Sequence, residues 1–394
     1  MTRQADVLVV GGGPAGSAAA ITLARAGARV RLLERATFPR HKLCGDTLNP
    51  GALSIVDRLG AGREVRACAL PILGMTVTGP GAEVSADYPD GLRGMSVTRW
   101  CLDQLLLEAA AHAGASVDTG VGVSEPVIEN GRVVGVRLAG RSRDVLRAPV
   151  VIAADGRGSR LAAHVKLASY ARRPRRWAFG AYFTDVERLS ARGEMHIRRG
   201  AYIGVAPLPG GLTNVSLVLD RQMSRGGWPE VPAGPADLQT IVRRAIAADA
   251  LLRDRFAAAK QVSPVTVLGP LAVDARGAGC AGLLLAGDAA GFVDPMTGDG
   301  LRFALRGGEL AAHAALEELA SGRPAFRRLH EQRRREFSTR WRLNRALRTL
   351  VGSPGAVRLA ARVASWWPAP IEYLIHVAGD VTLARRSRRE APRV

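Results

Sequence analysis

Lysine is nearly absent from this sequence. Only Lys42, Lys166 and Lys260 are lysine among 55 basic residues, and the arginine excess leaves a formal net charge of +20. Such an excess can mark a nucleic-acid surface. Here the arginines are scattered until the C-terminal stretch and no zinc-finger or RNA-binding signature accompanies them, so nucleic acid is not an expected partner. The four cysteines, Cys44, Cys68, Cys101 and Cys280, form no C-x-x-C pair. Neither a zinc knuckle nor a disulfide framework is indicated, and a reduced, cytoplasmic chain without metal is the expectation. No apolar run reaches the ~18 residues that a membrane-spanning helix needs. The first strand also starts too early to leave room for a signal peptide. At 394 residues with 47% hydrophobic content, the chain has material for two joined domains and a sizeable core.

What is present is organised around the first 35 residues. Val7–Val10 is a short β-branched run of the kind buried in parallel sheets. Gly11, Gly13 and Gly16 follow at G-x-G-x-x-G spacing. The first permits a tight turn, the second lets a pyrophosphate approach the backbone, and the third lets the next helix pack closely. Pro14 suits a first helical turn, Ala15 to Ala26 favours helix, and Gly27 ends it. A second strand, Arg29 to Leu33, runs into Glu34, placed where a carboxylate can accept ribose hydroxyls. Strand, glycines, helix, strand and acid agree on binding of an ADP-containing dinucleotide.

Further along, the loop after Glu34 holds Arg40, His41, Lys42, Cys44 and Asp46. It reads either as a solvated basic loop with one thiol or, from its position beside the ribose-binding strand, as part of a site. Leu70 to Tyr88 alternates like strands around Gly79–Gly81. A helix is expected from Trp100 to His112; Arg99 before it either reaches phosphates or caps the helix. Asn130–Gly131 marks a hairpin within 117–151. The strand from Val150 to Ala154 ends in Asp155–Gly156, and Leu283 to Ala286 ends in Gly287–Asp288. Pro295, Gly298 and Gly300 precede a small-residue helix from Leu301 to Leu319. Strand ends and helix N-termini of this kind suit anionic ligands. Alternation returns from Trp177 to Leu219, a candidate substrate-binding sheet, followed by a helix over 236–258.

The expected fold class is α/β: a discontinuous Rossmann-like domain (1–70, 95–170, 265–320), an inserted antiparallel-sheet substrate domain (71–94, 171–264) and a helical C-terminal cap (321–394). In that cap arginines from Arg327 to Arg348 alternate with apolar residues. The pattern is either a cap with its arginines in water or a surface that rests on an anionic bilayer.

As a set, GGGPAG with Glu34, VIAADGRGS and AGDAAGFVDPMTGDGLRFALRGG resemble the three flavin-contacting segments of FAD-dependent oxidoreductases with the glutathione-reductase-type fold, in the aromatic-hydroxylase-like branch. FPRHKLCGDTLNPGAL resembles the geranylgeranyl reductase subgroup. The resemblance implies non-covalent FAD. Gly11, Gly13, Pro14, Ala15, Gly16, Glu34 and Arg35 would hold its ADP half, with Arg99, Lys42 and Cys44 nearby. Asp155, Gly156, Gly287 and Asp288 would serve its middle, and Pro295, Gly298, Gly300 and Leu301 its pyrimidine end. No second glycine motif is present, so electrons would come from a transiently docked NAD(P)H or another carrier.

The implied reaction is reduction of C=C bonds in a lipophilic substrate, with Cys44, Gly45 and Tyr202 as candidate catalytic residues. Cys44, set among Arg40 and Lys42, is expected to have some thiolate character. The alternatives are monooxygenation of an aromatic or polyene compound, and a non-catalytic membrane-associated flavoprotein. Geranylgeranyl reductases carry Y-x-W-x-F-P in the substrate tunnel; here Tyr202 and Pro207 match, but Gly204 and Ala206 replace both aromatics. The loss widens the expected cavity. The catalytic lysine and W-x-W-x-I-P stretch of flavin halogenases are not evident.

Overall fold

The computed structural model describes residues 5–140, 144–170, 176–198, 200–220 and 235–390. Strand Val7–Val10 lies at the centre of a six-stranded sheet, paired in parallel with Val30–Glu34 on one side and Val150–Ala153 on the other. Leu283–Leu285 extends it in parallel on one flank and Ser116–Thr119 on the other. The central strand is buried at every position. That burial on both faces explains why its sequence shows an unbroken apolar run instead of alternation. Helix α1 (Pro14–Arg25) and helix α2 (Gly300–Ser321) pack on one another beneath the sheet. Small residues allow the close approach: a Cβ at Gly308 would collide with the backbone oxygen of Ala15. Because the strands run the same way, Gly11, Glu34, Asp155 and Gly287 all emerge at one edge of the sheet, where ligands bind in open α/β folds.

A second sheet combines Gly74–Gly79 and Ala82–Asp87 with four long strands between Arg176 and Asp220 and short strands at Lys260–Gln261 and Thr266–Leu268; it is antiparallel as expected except where Gly74–Gly79 runs parallel to Arg192–Arg198. One of its faces is covered by the helix Pro235–Ala248. That helix stops ten residues before the sequence pattern suggested; fully buried Asp249 accepts the backbone N–H groups of Leu251 and Leu252 and turns the chain. The other face looks toward the nucleotide fold, where Tyr202, Met296 and Leu43 share an apolar cluster. The hairpin at Asn130–Gly131 has positive φ at both residues, as its turn type requires.

Four helices close the chain: α3 (Phe326–Val351), α4 (Pro354–Trp366), α5 (Ala369–Ala378) and α6 (Val381–Glu390). One expectation fails outright. Cys68 and Cys101 are joined as a disulfide, leaving Cys44 and Cys280 as free thiols. The two lie 33 residues apart and meet only because the short helix Gly62–Ala67 packs on the helix Arg99–His112, which no local spacing could reveal.

Candidate functional site

At the first strand end the backbone is shaped for a close ligand. Gly11 has φ 107°, and a Cβ there would strike the carbonyl oxygen of Ala154; one at Gly16 would strike the oxygen of Gly11. Gly13 differs. A Cβ on it would meet only Arg40 Nη2, at 3.6 Å, so its surface is open on the side where a pyrophosphate would approach. Pro14 and Ala15 form the first helical turn behind it. Glu34 is buried, with Oε2 accepting the Gly12 N–H at 2.7 Å and Oε1 that of Ala36 at 2.8 Å. These bonds hold the carboxylate rigid and leave lone pairs for further donors. Arg35, next to it, is exposed.

A ring of charge faces this turn. Arg99 does not cap its helix, since Thr98 does so through a bond from the Cys101 N–H. Instead Arg99 is buried and grips Asp103 through two bonds of 2.6 and 2.7 Å. Arg40 Nη1 lies 3.0 Å from Asp103 but off the line of a hydrogen bond, so an N–H is left for another acceptor. Lys42 has accessible surface yet is enclosed by protein, the signature of a side chain lining a recess. That enclosure lowers its pKa, as does Arg99, while Asp288 and Asp103 oppose the shift. Asp288 and Asp155 are raised by burial, the first partly compensated by Lys42 and Arg99, the second by a bond from Ser159. Asp155 Oδ1 is buried with no hydrogen-bond partner among the described residues. Gly156 faces Lys42, whose Nζ would lie 3.8 Å from a Cβ there. Gly287 follows its strand with φ 58° beside Ala15. An open glycine turn, unfilled donors on Arg40 and an enclosed lysine together fit a bound pyrophosphate.

The loop that brings Lys42 here continues through Cys44 to Asp46, and Leu43 anchors it. Leu43 lies against Gly180 in the antiparallel sheet, where any Cβ would collide with it. Asp46 is fully buried with φ 54°, a left-handed conformation uncommon for a residue with a side chain. Its Oδ2 accepts from the Tyr182 hydroxyl and from Asn214 Nδ2, each at 2.7 Å, while Oδ1 has no partner among the described residues. Burial raises the carboxyl to about 7, against the pull of Tyr182, Asn214 and Arg99. Asn214 and Ser216 also donate to the carbonyl of Cys44, at 2.9 and 3.2 Å. Between this loop and the sheet is a cavity of about 110 Å³ walled by Lys42, Cys44, Tyr182, Asn214 and Pro264, among others. A Cβ on Gly45 would meet nothing within 4 Å.

Two expectations change here. The Cys44 thiol is raised, not lowered: burial dominates and Asp46 adds to it, outweighing Arg99, so Cys44 is a neutral thiol. Tyr202 sits in the core, its hydroxyl donating to Asp294 Oδ1 at 2.6 Å, and it is not part of the cavity wall. Asp294 also pairs with Arg176 at 3.0 Å, and Asn344 of α3 donates to its carbonyl and to Thr297. The segment carrying Pro295, Gly298, Gly300 and Leu301 is thereby held from both sides. Gly298 and Gly300 have open space where a Cβ would project.

Asp103, Tyr182 and Asn214 are site residues that the sequence pattern did not single out. Asp103 could have been found as the i+4 partner of Arg99 on a helix. Tyr182 and Asn214 are 136 and 168 residues from Asp46 and carry no local signal.

A Rossmann-type sheet with this charged recess at its strand ends, and a buried acid held on its loop by Tyr182 and Asn214 of the facing sheet beside a cavity, defines a dinucleotide-dependent oxidoreductase. The chain belongs to the FAD binding domain family, which it matches over residues 4–340. It is an FAD-dependent oxidoreductase. Among its relatives is the menaquinone reductase of Mycobacterium tuberculosis, 33% identical over 323 residues, 78% of this chain and 76% of that one. The geranylgeranyl diphosphate reductase of Rhodobacter capsulatus is 31% identical over 339 residues, 81% of this chain and 77% of that one. Among solved structures, a myxobacterial chondrochloren halogenase superposes with a TM-score of 0.77 at 26% identity, over 86% of this chain and 81% of that one. The likeness to geranylgeranyl reductases read from the Cys44 loop thus extends across most of the sequence. Among the described residues, no helix is long and apolar enough to cross a membrane.

Proposed function

We propose that this enzyme reduces carbon–carbon double bonds of a lipophilic, isoprenoid-like substrate. Bound FAD, reduced by NAD(P)H or another carrier, would supply the hydride equivalent for one carbon of the double bond. The chain supplies the rest. Gly11, Gly13 and Gly16 with Glu34 cradle the ADP half, and Arg40, Arg99 and Lys42 neutralise the pyrophosphate. Lys42 and Cys44, which line the cavity, would border the ring, and open space at Gly45 would leave the approach of a flat ligand unobstructed. Tyr202 acts at one remove, fixing through Asp294 the segment 294–301.

The observation that carries the reading is the Asp46–Tyr182 pair. Saturating a double bond needs one proton for each hydride. The Tyr182 hydroxyl lines the cavity; where Asp46 is protonated, as about half of it is at pH 7 because burial raises it to about 7, the hydroxyl can turn from Asp46 to give its proton to the second carbon and take the acid's in return. A proton source tuned near the working pH has a direct use in reduction.

The relatives named for menaquinone and geranylgeranyl diphosphate support the substrate class. Substrates with long hydrocarbon chains partition into bilayers, so the reading includes peripheral contact with a membrane. The test is anaerobic turnover: FAD-loaded enzyme with a chemical reductant and a polyprenyl quinone or diphosphate should yield products two mass units heavier per double bond. The likeness to a halogenase favours a second reading, oxygen-dependent chemistry on an aromatic or polyene compound. Product formed only in air, carrying oxygen or halogen, would replace the first reading with the second.

A further inference from the structure

Five of the eleven exposed large apolar side chains among the described residues fall within one short stretch, residues 359–373. Helix α4 explains why. Val357, Ala361 and Ala364 are buried at i, i+4 and i+7, and the helix lies on the strands Gly74–Gly79 and Ala82–Asp87. Leu359, Val363 and Trp366 repeat the same spacing about 200° away, on the face that points off the molecule. The helix therefore carries two apolar stripes, and the fold covers only one. Trp366 is 92% exposed; Trp367, at the elbow into α5, is 64% exposed and Tyr373 67%.

Charge identifies what covers the second stripe. From Phe337 through Tyr373 there is a single carboxylate, Glu372, against six arginines. Arg358 and Arg362 flank the stripe, both exposed and without an ion-pair partner among the described residues. The longer basic helix α3 is not this surface. Its apolar positions Leu329 and Phe337 are buried in the core, and Arg333 and Arg340 are spent on internal contacts. A second copy of the chain fits poorly, because a two-fold contact through this face would set Arg358 and Arg362 against their counterparts with only Glu372 of each copy to offset them. Tryptophan and tyrosine beside arginine on an apolar helix match the headgroup boundary of an anionic bilayer.

We propose that the α4–α5 elbow is a bilayer-docking surface. Leu359, Val363, Trp366 and Trp367 enter the acyl boundary, and Arg358 and Arg362 engage anionic headgroups. This deepens the membrane contact included in the reductase reading, but docking is measured without turnover, so either can fail alone.

The experiment is co-sedimentation of the FAD-loaded enzyme with phosphatidylcholine vesicles, with and without phosphatidylglycerol. Binding is expected to the anionic vesicles and to weaken with salt. Trp366→Ala/Trp367→Ala should lower partitioning roughly tenfold or more, with flavin content and circular dichroism unchanged because both rings are exposed. Arg358→Gln/Arg362→Gln should remove the preference for phosphatidylglycerol. Brominated lipid should quench fluorescence lost in the tryptophan variant. No partitioning, or full partitioning by that variant, would overturn the proposal. So would a self-associating wild type that becomes monomeric in the variant, since the face would then belong to a second copy.

Discussion

The Tyr182 hydroxyl donates to Asp46 Oδ2 across 2.7 Å, joining a strand of the antiparallel sheet to the loop that leaves the ribose-binding strand. One residue in this pair lines the cavity and the other is sealed from water, so a proton held on the buried member has an outlet through the exposed one.

With Asp46 raised to about 7, turnover should be flat below that pH and fall about tenfold per unit above it, as the acid form is depleted. Asp46→Asn should cut kcat by about 10²–10⁴-fold and abolish the alkaline limb while retaining FAD. Tyr182→Phe removes a bond that favours the ionised carboxyl, so the residual activity should show its midpoint at higher pH. A pH–rate series on the three proteins reads all of this; a limb unchanged in Asp46→Asn would assign it to another group.

Glycines of the turn should separate by what surrounds them. Gly16→Ala puts a Cβ into the oxygen of Gly11, so the protein should lose thermal stability and bound flavin together. Gly13→Ala meets only Arg40 Nη2 at 3.6 Å, so melting of the flavin-free protein should be nearly unchanged. Any loss of flavin affinity there reports a methyl group in the pyrophosphate's place. Melting curves with and without FAD distinguish the two.

Cys44, as a half-buried thiol kept neutral by its enclosure, should react slowly with iodoacetamide at pH 7 and accelerate only above its usual thiol range. Cys44→Ala should keep its flavin and lower turnover through altered substrate placement. Rapid alkylation at neutral pH would restore the thiolate that the electrostatics deny.

Asp380 is buried between Arg302 and Arg340, with bonds of 2.7 and 2.6 Å. Asp380→Ala takes one of two carboxylate partners from each arginine, leaving Arg302 with Glu336 and Arg340 with Asp299, and should cost about 1–3 kcal/mol. Since Asp380 also has φ 50°, Asp380→Asn should retain the backbone and lose less. Denaturant titration of both variants measures the difference.

The nucleotide half was legible because its physics is local: a run of strand residues, glycines at fixed offsets and an acid at the next strand end. Arg99 and Lys42 could be named from the sequence, but their roles could not, since Asp103 and the enclosing recess set them. The fold of the second half was visible as alternation. Its chemistry was not, because Asp46 becomes an acid only by losing water to strands some 136 and 168 residues further on. The same holds for Cys44, whose neighbours in sequence are basic while its surroundings in space are dry. Cys68 and Cys101 were read as unpaired for lack of a spacing rule that could link them.

The turn Gly379–Asp380 lies against the start of the helix Pro50–Arg58, where Gly51 has no room for a Cβ beside Asp380 and its N–H donates to Gly379 O at 3.1 Å. Asp380 in turn holds Arg340, which holds Asp299 at 2.9 Å, next to the glycines 298 and 300. Residues far apart in the sequence thus secure one another around glycines 298 and 300. The turn acts as a keystone: loosening Asp380 slackens Arg340, and through it the stretch that carries glycines 298 and 300.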